Sequence, residues 1–142
     1  MTLVGNSGRT VLDGLRAWSE HDPDRIAITD GESSVTFAEA WRVAEATSAV
    51  ARQAMAQAAP GAYLPVVVDR STQSAVAVLA CLAGRVPFFP VDAHASPTLQ
   101  RSLMRRAGDP GCCIMGLRFD YAVLGFGGFD DDGAPMDFDL EK

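Results

Sequence analysis

Residues 76–104, VAVLACLAGRVPFFPVDAHASPTLQRSLM, decide the fold. Val76, Ala77, Val78, Leu79, Ala80, Leu82 and Ala83 leave a helix almost no polar face, the pattern of a helix sandwiched inside a domain. Gly84 is expected to stop that helix. Phe88 and Phe89, bracketed by Pro87 and Pro90, read as a strand whose exit Pro90 fixes. Asp92 is expected to cap or brace the next turn. Beyond Pro97 a basic amphipathic helix runs to about Ala107, with Leu99, Leu103 and Met104 inward and Arg101, Arg105 and Arg106 outward. Helix, strand and helix in that order belong to an α/β domain.

The flanking sequence extends the alternation. Upstream, Tyr63-Leu64-Pro65-Val66-Val67-Val68 is the apolar run of a parallel strand buried on both faces, and Ser71 or Thr72 caps the helix after it. Thr10 caps a first helix carrying Val11, Leu12, Leu15 and Trp18 on one face, ended by Asp22-Pro23-Asp24. Residues 25–29 and 34–37 form a hairpin around Asp30-Gly31. Thr36 and Glu39 have capping-box spacing at the start of a long helix whose buried stripe is Phe37, Trp41, Ala44, Ala51 and Met55. Downstream, residues 112–115 read as a short buried strand and 117–126 as extended, ended by Gly127-Gly128. The fold class is therefore α/β: a largely parallel sheet flanked by helices, with an N-terminal β-hairpin. Residues 1–9 form a loop, 10–116 the scaffold, and 117–142 a segment with an acidic tail.

Composition narrows the function classes. The chain of 142 residues is one domain of ordinary apolar and charged content. No apolar run approaches the roughly 20 residues that cross a bilayer, and the N-terminus lacks a signal-peptide pattern. Three cysteines, two of them adjacent, suit reduced thiols in a cytoplasm better than a disulfide framework. Asp130, Asp131, Asp132, Asp137, Asp139 and Glu141 face one base, Lys142, so most of the net charge of −6 sits in the tail. The nearly neutral remainder offers no electrostatic footprint for nucleic acid or an anionic membrane.

The candidate chemical groups are weak ones. Gly5-Asn6-Ser7-Gly8-Arg9-Thr10 has two residues between its glycines and arginine where a phosphate loop has four and lysine, so it reads as a loop leading to an N-cap. Gly125-Phe126-Gly127-Gly128 has no helix after it to hold a pyrophosphate and reads as a turn. His21 beside Asp22 and His94 beside Asp92 are candidate acid–base groups but have no nucleophile beside them. Cys112 and Cys113 point to opposite faces of a strand and read as buried structural thiols. Asp130–Asp132 is a solvated run without ligand spacing. No catalytic, cofactor-binding or metal-binding residue is expected.

Two stretches carry a family resemblance. Val35-Thr36-Phe37-Ala38-Glu39-Ala40 resembles the first core motif, L-T/S-Y-x-E-L, of the adenylate-forming enzymes, which include nonribosomal peptide synthetase adenylation domains and acyl-CoA ligases. Ala83, Gly84, Phe88 or Phe89, Pro90, Val91 and Asp92 resemble the second, L-K-A-G-x-A-Y-x-P-L-D, with Leu82 at the lysine position. His21–Ala27, Asp69-Arg70-Ser71 and residues 97–108 resemble the segments around these motifs, in the family's order, over roughly residues 10–115. The resemblance implies that Thr36, Glu39, Gly84, Pro90 and Asp92 are structural motif residues of an N-terminal subdomain.

It also implies what is missing. The family uses ATP and Mg²⁺, held by a Ser/Thr/Gly-rich loop with its lysine and by later segments, and none of these can be matched after Met115. Adenylation needs groups that neutralise triphosphate and orient a carboxylate for attack. The chain is therefore expected to be an N-terminal fragment or truncated relative of a ligase that activates a carboxylic or amino acid as acyl-AMP, inactive and cofactor-free alone. The alternative is a stand-alone, non-catalytic interaction or scaffold protein, acting as a homodimer. Its expected partners are the remainder of a ligase, a companion protein or a second copy. A small nucleotide-binding protein is the least supported class, because no phosphate-binding turn is present.

Overall fold

Each of the four helices among the described residues begins on a hydroxyl. Thr10, Thr36, Ser71 and Ser96 precede α1 (Val11–His21), α2 (Phe37–Met55), α3 (Thr72–Gly84) and α4 (Pro97–Arg106), and each side chain accepts the amide three residues on. That bond satisfies one of the donors a helix start leaves without an internal acceptor. Thr36 and Glu39 form the reciprocal capping box, and Thr10 makes a second with Asp13. The structure, a computed structural model, describes residues 10–108, 110, 113–117, 124–129 and 135–137.

Strands alternate with these helices. β1 (Ile26–Thr29) and β2 (Ser34–Thr36) pair antiparallel as the N-terminal hairpin. A five-stranded sheet has the order β4-β3-β5-β6-β7, built from β3 (Leu64–Val68), β4 (Phe88–Asp92), β5 (Cys113–Leu117), β6 (Leu124–Phe129) and β7 (Pro135–Asp137). β4, β3 and β5 are mutually parallel, whereas β5, β6 and β7 run antiparallel. The parallel character thus stops at β5, because the connections from there on are too short for a crossover. Gly127 and Gly128 lie inside β6 and pair with β7, so they neither end the extended segment nor make a turn. Turn signals fail here because a glycine pair in a strand keeps its ladder bonds when neighbours lie on both sides.

Backbone alternation explains Pro90. Leu64 N–H donates to the Pro87 carbonyl and Ala93 N–H to that of Val68, which turns residues 87, 89, 91 and 93 toward β3. Pro90 therefore faces out on an edge strand, where its missing N–H breaks no ladder bond and blunts the edge.

The core lies on one face of this sheet. Leu64, Val66 and Ile114 join Val76, Ala77, Ala80 and Cys81 of α3 and Ala40, Val43, Ala44 and Ala51 of α2 in one buried cluster. Successive strand residues face opposite sides, so buried Pro65, Val91 and Cys113 belong to the other face. Buried Met104 and Ala107 mark the end of α4, the helix that contacts β4 there.

Four expectations shift. The buried stripe of α2 centres on Ala40, Val43, Ala44, Thr47, Ser48 and Ala51, with Phe37, Trp41 and Met55 half-buried at its margins. Thr47 and Ser48 tolerate burial because each hydroxyl donates to a carbonyl of its own helix, Val43 O at 2.6 Å and Glu45 O at 2.7 Å. On α1 only Leu15 is buried; Val11 is exposed, and Trp18 stacks on Phe37 with its other neighbours Arg25 and His21. The helix α3 is not fully sandwiched, since Leu82 is 43% exposed. Leu99 is 50% exposed, because it lies five residues, roughly 140° around the helix, from buried Met104.

Gly84 has a different task from the one its position suggests. The helix runs through it, and Arg85 takes the left-handed conformation at φ 53°. Val86 N–H donates to Cys81 O and Arg85 N–H to Leu82 O, the paired bonds of a Schellman ending. A Cβ at Gly84 would stand 3.1 Å from the Ser48 carbonyl oxygen, so glycine there permits the close approach of α2 and α3.

Candidate functional site

The β1–β2 hairpin and the start of α3 meet at the carboxyl end of β3, beside the edge strand β4. Between them lies a cavity of about 460 Å³. Val68, Phe88 and Pro90 come from the strands, Ala75 and Val78 from α3, and Ile28 from the hairpin. Its polar lining is Thr29, Asp30, Asp69, Arg70, Ser71, Thr72 and Ser74.

Asp30 organises the loop. Its Oδ1 accepts the amides of Glu32 at 2.9 Å and Ser33 at 2.8 Å. Its Oδ2 accepts the Ser33 hydroxyl at 3.1 Å and reaches across to the Thr72 amide at 3.1 Å. A second link joins the Ser33 and Thr72 hydroxyls, 3.1 Å apart. The Ser33 and Glu32 amides, followed by that of Thr72, hold the Asp30 carboxyl down at about 2. The Asp30-Gly31 pair is thus the start of a four-residue loop closed by Asp30 N–H to Ser33 O, with Gly31 at φ 91°.

Asp69 braces the same helix start from the strand side. Its Oδ1 accepts the Ser71 amide and the Ser74 hydroxyl, both at 2.9 Å. Hydrogen bonding by Ser71 and then Ser74 lowers its pKa, with a smaller contribution from nearby His94. The amides of Ser71, Thr72 and Ser74 are therefore taken by Asp69, Asp30 and the Ser71 hydroxyl. A helix N-terminus after a parallel strand is an anion site when its amides are open; here two carboxylates already sit on it.

The residues singled out in the sequence scatter over the molecule rather than meeting in this cavity. Thr36 and Glu39 cap α2, Gly84 packs against Ser48, and Asp92 Oδ1 accepts the His94 amide at 2.9 Å as a turn brace. Of the five motif residues only Pro90 lines the cavity. His21 ends α1 edge-on to Trp18, and His94 is exposed after β4. Cys81 is buried, which pushes its thiol up to about 11, and Cys113 is buried too. Residues 5–9, Cys112 and Asp130–Asp132 lie outside the described residues. Among the described residues no three His, Cys, Asp or Glu side chains are grouped to hold a metal ion, and no helix is long and apolar enough to cross a membrane.

Sequence reading missed Asp30, Ser33 and Thr72 as a unit. The Asp-x-x-Ser spacing of the loop was a usable signal for the Asx turn. The bond to Thr72 spans 42 positions, and no local pattern announces it.

No protein-family model matches the chain. Over 86 residues it is 28% identical to the nonribosomal peptide synthetase dtxS1 of Metarhizium robertsii, a match covering 60% of this chain and 1% of that protein. The crystal structure of IdnL1 superposes with a TM-score of 0.57 at 20% identity, covering 72% of this chain and 20% of the IdnL1 chain. The chain thus shares its fold with one fifth of IdnL1 and is similar in sequence to a short stretch of a nonribosomal peptide synthetase.

Proposed function

We propose that this chain is the N-terminal scaffold piece of an ATP-dependent adenylating ligase, one that activates a carboxylic or amino acid as acyl-AMP in nonribosomal peptide or related metabolism. The observation that carries the reading is the two ordered motifs, Val35–Ala40 and Ala83–Asp92, in a chain that resembles part of a nonribosomal peptide synthetase. The scaffold contributes position rather than chemistry. Its helix start nearest a parallel strand end is filled by Asp30 and Asp69, which repel a phosphate rather than hold one. ATP and Mg²⁺ belong, on this reading, to groups supplied by a partner: the remainder of a ligase or a companion protein in the cytoplasm.

The test is ATP–pyrophosphate exchange by the purified 142-residue chain with a panel of amino and carboxylic acids. No exchange above background is expected, and substrate-dependent exchange by the chain alone would overturn the proposal.

A second reading, a non-catalytic interaction protein that self-associates, is favoured by one feature. Tyr63, Leu82 and Leu99 are large apolar side chains left exposed. Light scattering on the isolated chain separates the two: a monomer at all concentrations removes the self-associating version.

A further inference from the structure

The helix α3 buries Val76, Ala77, Ala80 and Cys81 against the sheet and α2. Its flank over the edge strand β4 carries a different stripe: Ser71, Ala75, Val78, Leu82 and Arg85, spaced alternately four and three apart and so on one side of the helix. Ala75 and Val78 are half-buried walls of the cavity, with Phe88 and Pro90 beside them. Leu82 lies two turns beyond Ala75 on the same stripe and is 43% exposed. One surface thus holds an apolar hollow at one end and an apolar projection at the other. A two-fold interface requires that pattern, because each half must fit its own copy turned end for end. With Val78 at the centre, the reversed stripe sets Leu82 against Ala75 and Arg85 against Ser71.

The charges match in the same register. At the amino end of α3 the Asp30 and Asp69 carboxylates accept the Thr72 and Ser71 amides, and one guanidinium, Arg70, stands beside them. That end is negative on balance. At the carboxyl end Arg85 is exposed and, among the described residues, makes no ion pair. Reversing one copy brings each positive end to a negative one, whereas a parallel pairing would set like ends together. Because this one flank carries both halves of the match, the occupant it fits is a second copy of the chain.

We propose that two copies pair through antiparallel α3 helices about an axis at Val78, each Leu82 entering the other copy's hollow over Ala75 and each Arg85 facing the other copy's Asp69. The inference rests on the self-associating reading above and gives it a surface; it does not depend on adenylation.

The test is sedimentation velocity on the full chain over a concentration series. The wild-type chain should reach a dimer and no larger species, since a two-fold interface closes on itself. Leu82→Glu, at an exposed position that the fold tolerates, should weaken the dimer by about tenfold or more. Arg85→Glu should weaken it by about threefold or more, and Leu99→Glu, on α4, should leave it unchanged. Leu82→Lys and Ala75→Glu should each be monomeric alone and pair when mixed, because only an antiparallel register sets position 82 of one copy against 75 of the other. A wild-type monomer at all concentrations would overturn the proposal together with the self-associating reading. A dimer that withstands Leu82→Glu, that is lost in Leu99→Glu, or that mixing fails to restore would overturn this surface and leave that reading in place.

Discussion

Arg85 holds a left-handed backbone, φ 53° and ψ 36°, immediately after a glycine that does not. For an L-residue that conformation costs roughly 1–2 kcal/mol. Moving the glycine one position later would relieve it, but position 84 cannot accept a side chain cheaply, because Ser48 O is 3.1 Å and Ser48 Cβ 3.3 Å from where Cβ would be. The two positions compete for one glycine, and the helix contact wins. Arg85→Gly is therefore expected to stabilise the chain by about 1 kcal/mol. Gly84→Ala is expected to destabilise it by about 1 kcal/mol, overpacking of about 1–3 kcal/mol being offset in part by better helix propensity. Urea midpoints of the two variants should move in opposite directions, and movement in the same direction would show that Ser48 can give way.

Between elements, the β1–β2 loop is fastened to the start of α3 by Asp30 and by the Ser33–Thr72 hydroxyl pair. This fastening has a pH signature. The folded carboxyl sits at about 2, below its ordinary 3.8. A depressed carboxyl contributes stability above its unfolded value and loses it as pH falls through the folded one. The window is therefore from about pH 4 down to about pH 2. Asp30→Asn keeps an acceptor for the loop amides but removes the charge and one acceptor facing Thr72. Its thermal midpoint, read by circular dichroism, should be lower than wild type at pH 7 and fall less steeply between pH 4 and 2. Parallel curves across that window would assign the acid sensitivity to other carboxylates.

For the whole molecule, the sheet's two flanks are treated differently. On the β4 side Pro90 faces outward and blunts the edge. On the other side β6 pairs along β5, from Cys113↔Gly127 to Leu117↔Leu124. A chain ended after Leu117 would present the β5 edge to solvent, and such edges recruit strands from other molecules. That shortened chain should form higher oligomers or precipitate where the 142-residue chain does not, by light scattering at matched concentration. A soluble monomer or dimer would show that β5 needs no cover.

At this scale the division of labour between sequence and tertiary structure is plain. Caps, the hairpin, the β3–α3–β4–α4–β5 alternation and the apolar character of α3 were legible in the residues. Each follows from spacing within a few positions: a hydroxyl three residues before an amide, a proline at a strand edge, alternation in Ser34-Val35-Thr36. Three features were settled only in space: which side of α4 is buried, that Gly84 serves packing rather than a turn, and that Gly127-Gly128 continues a strand. Each depends on a neighbour distant in sequence: the sheet face beside Met104, the Ser48 carbonyl, and strands on both sides of β6. The cavity belongs to the same group. Its chemistry was written in Asp30, Asp69 and Phe88, but only long-range contacts place an aspartate from a hairpin loop on the amide of Thr72.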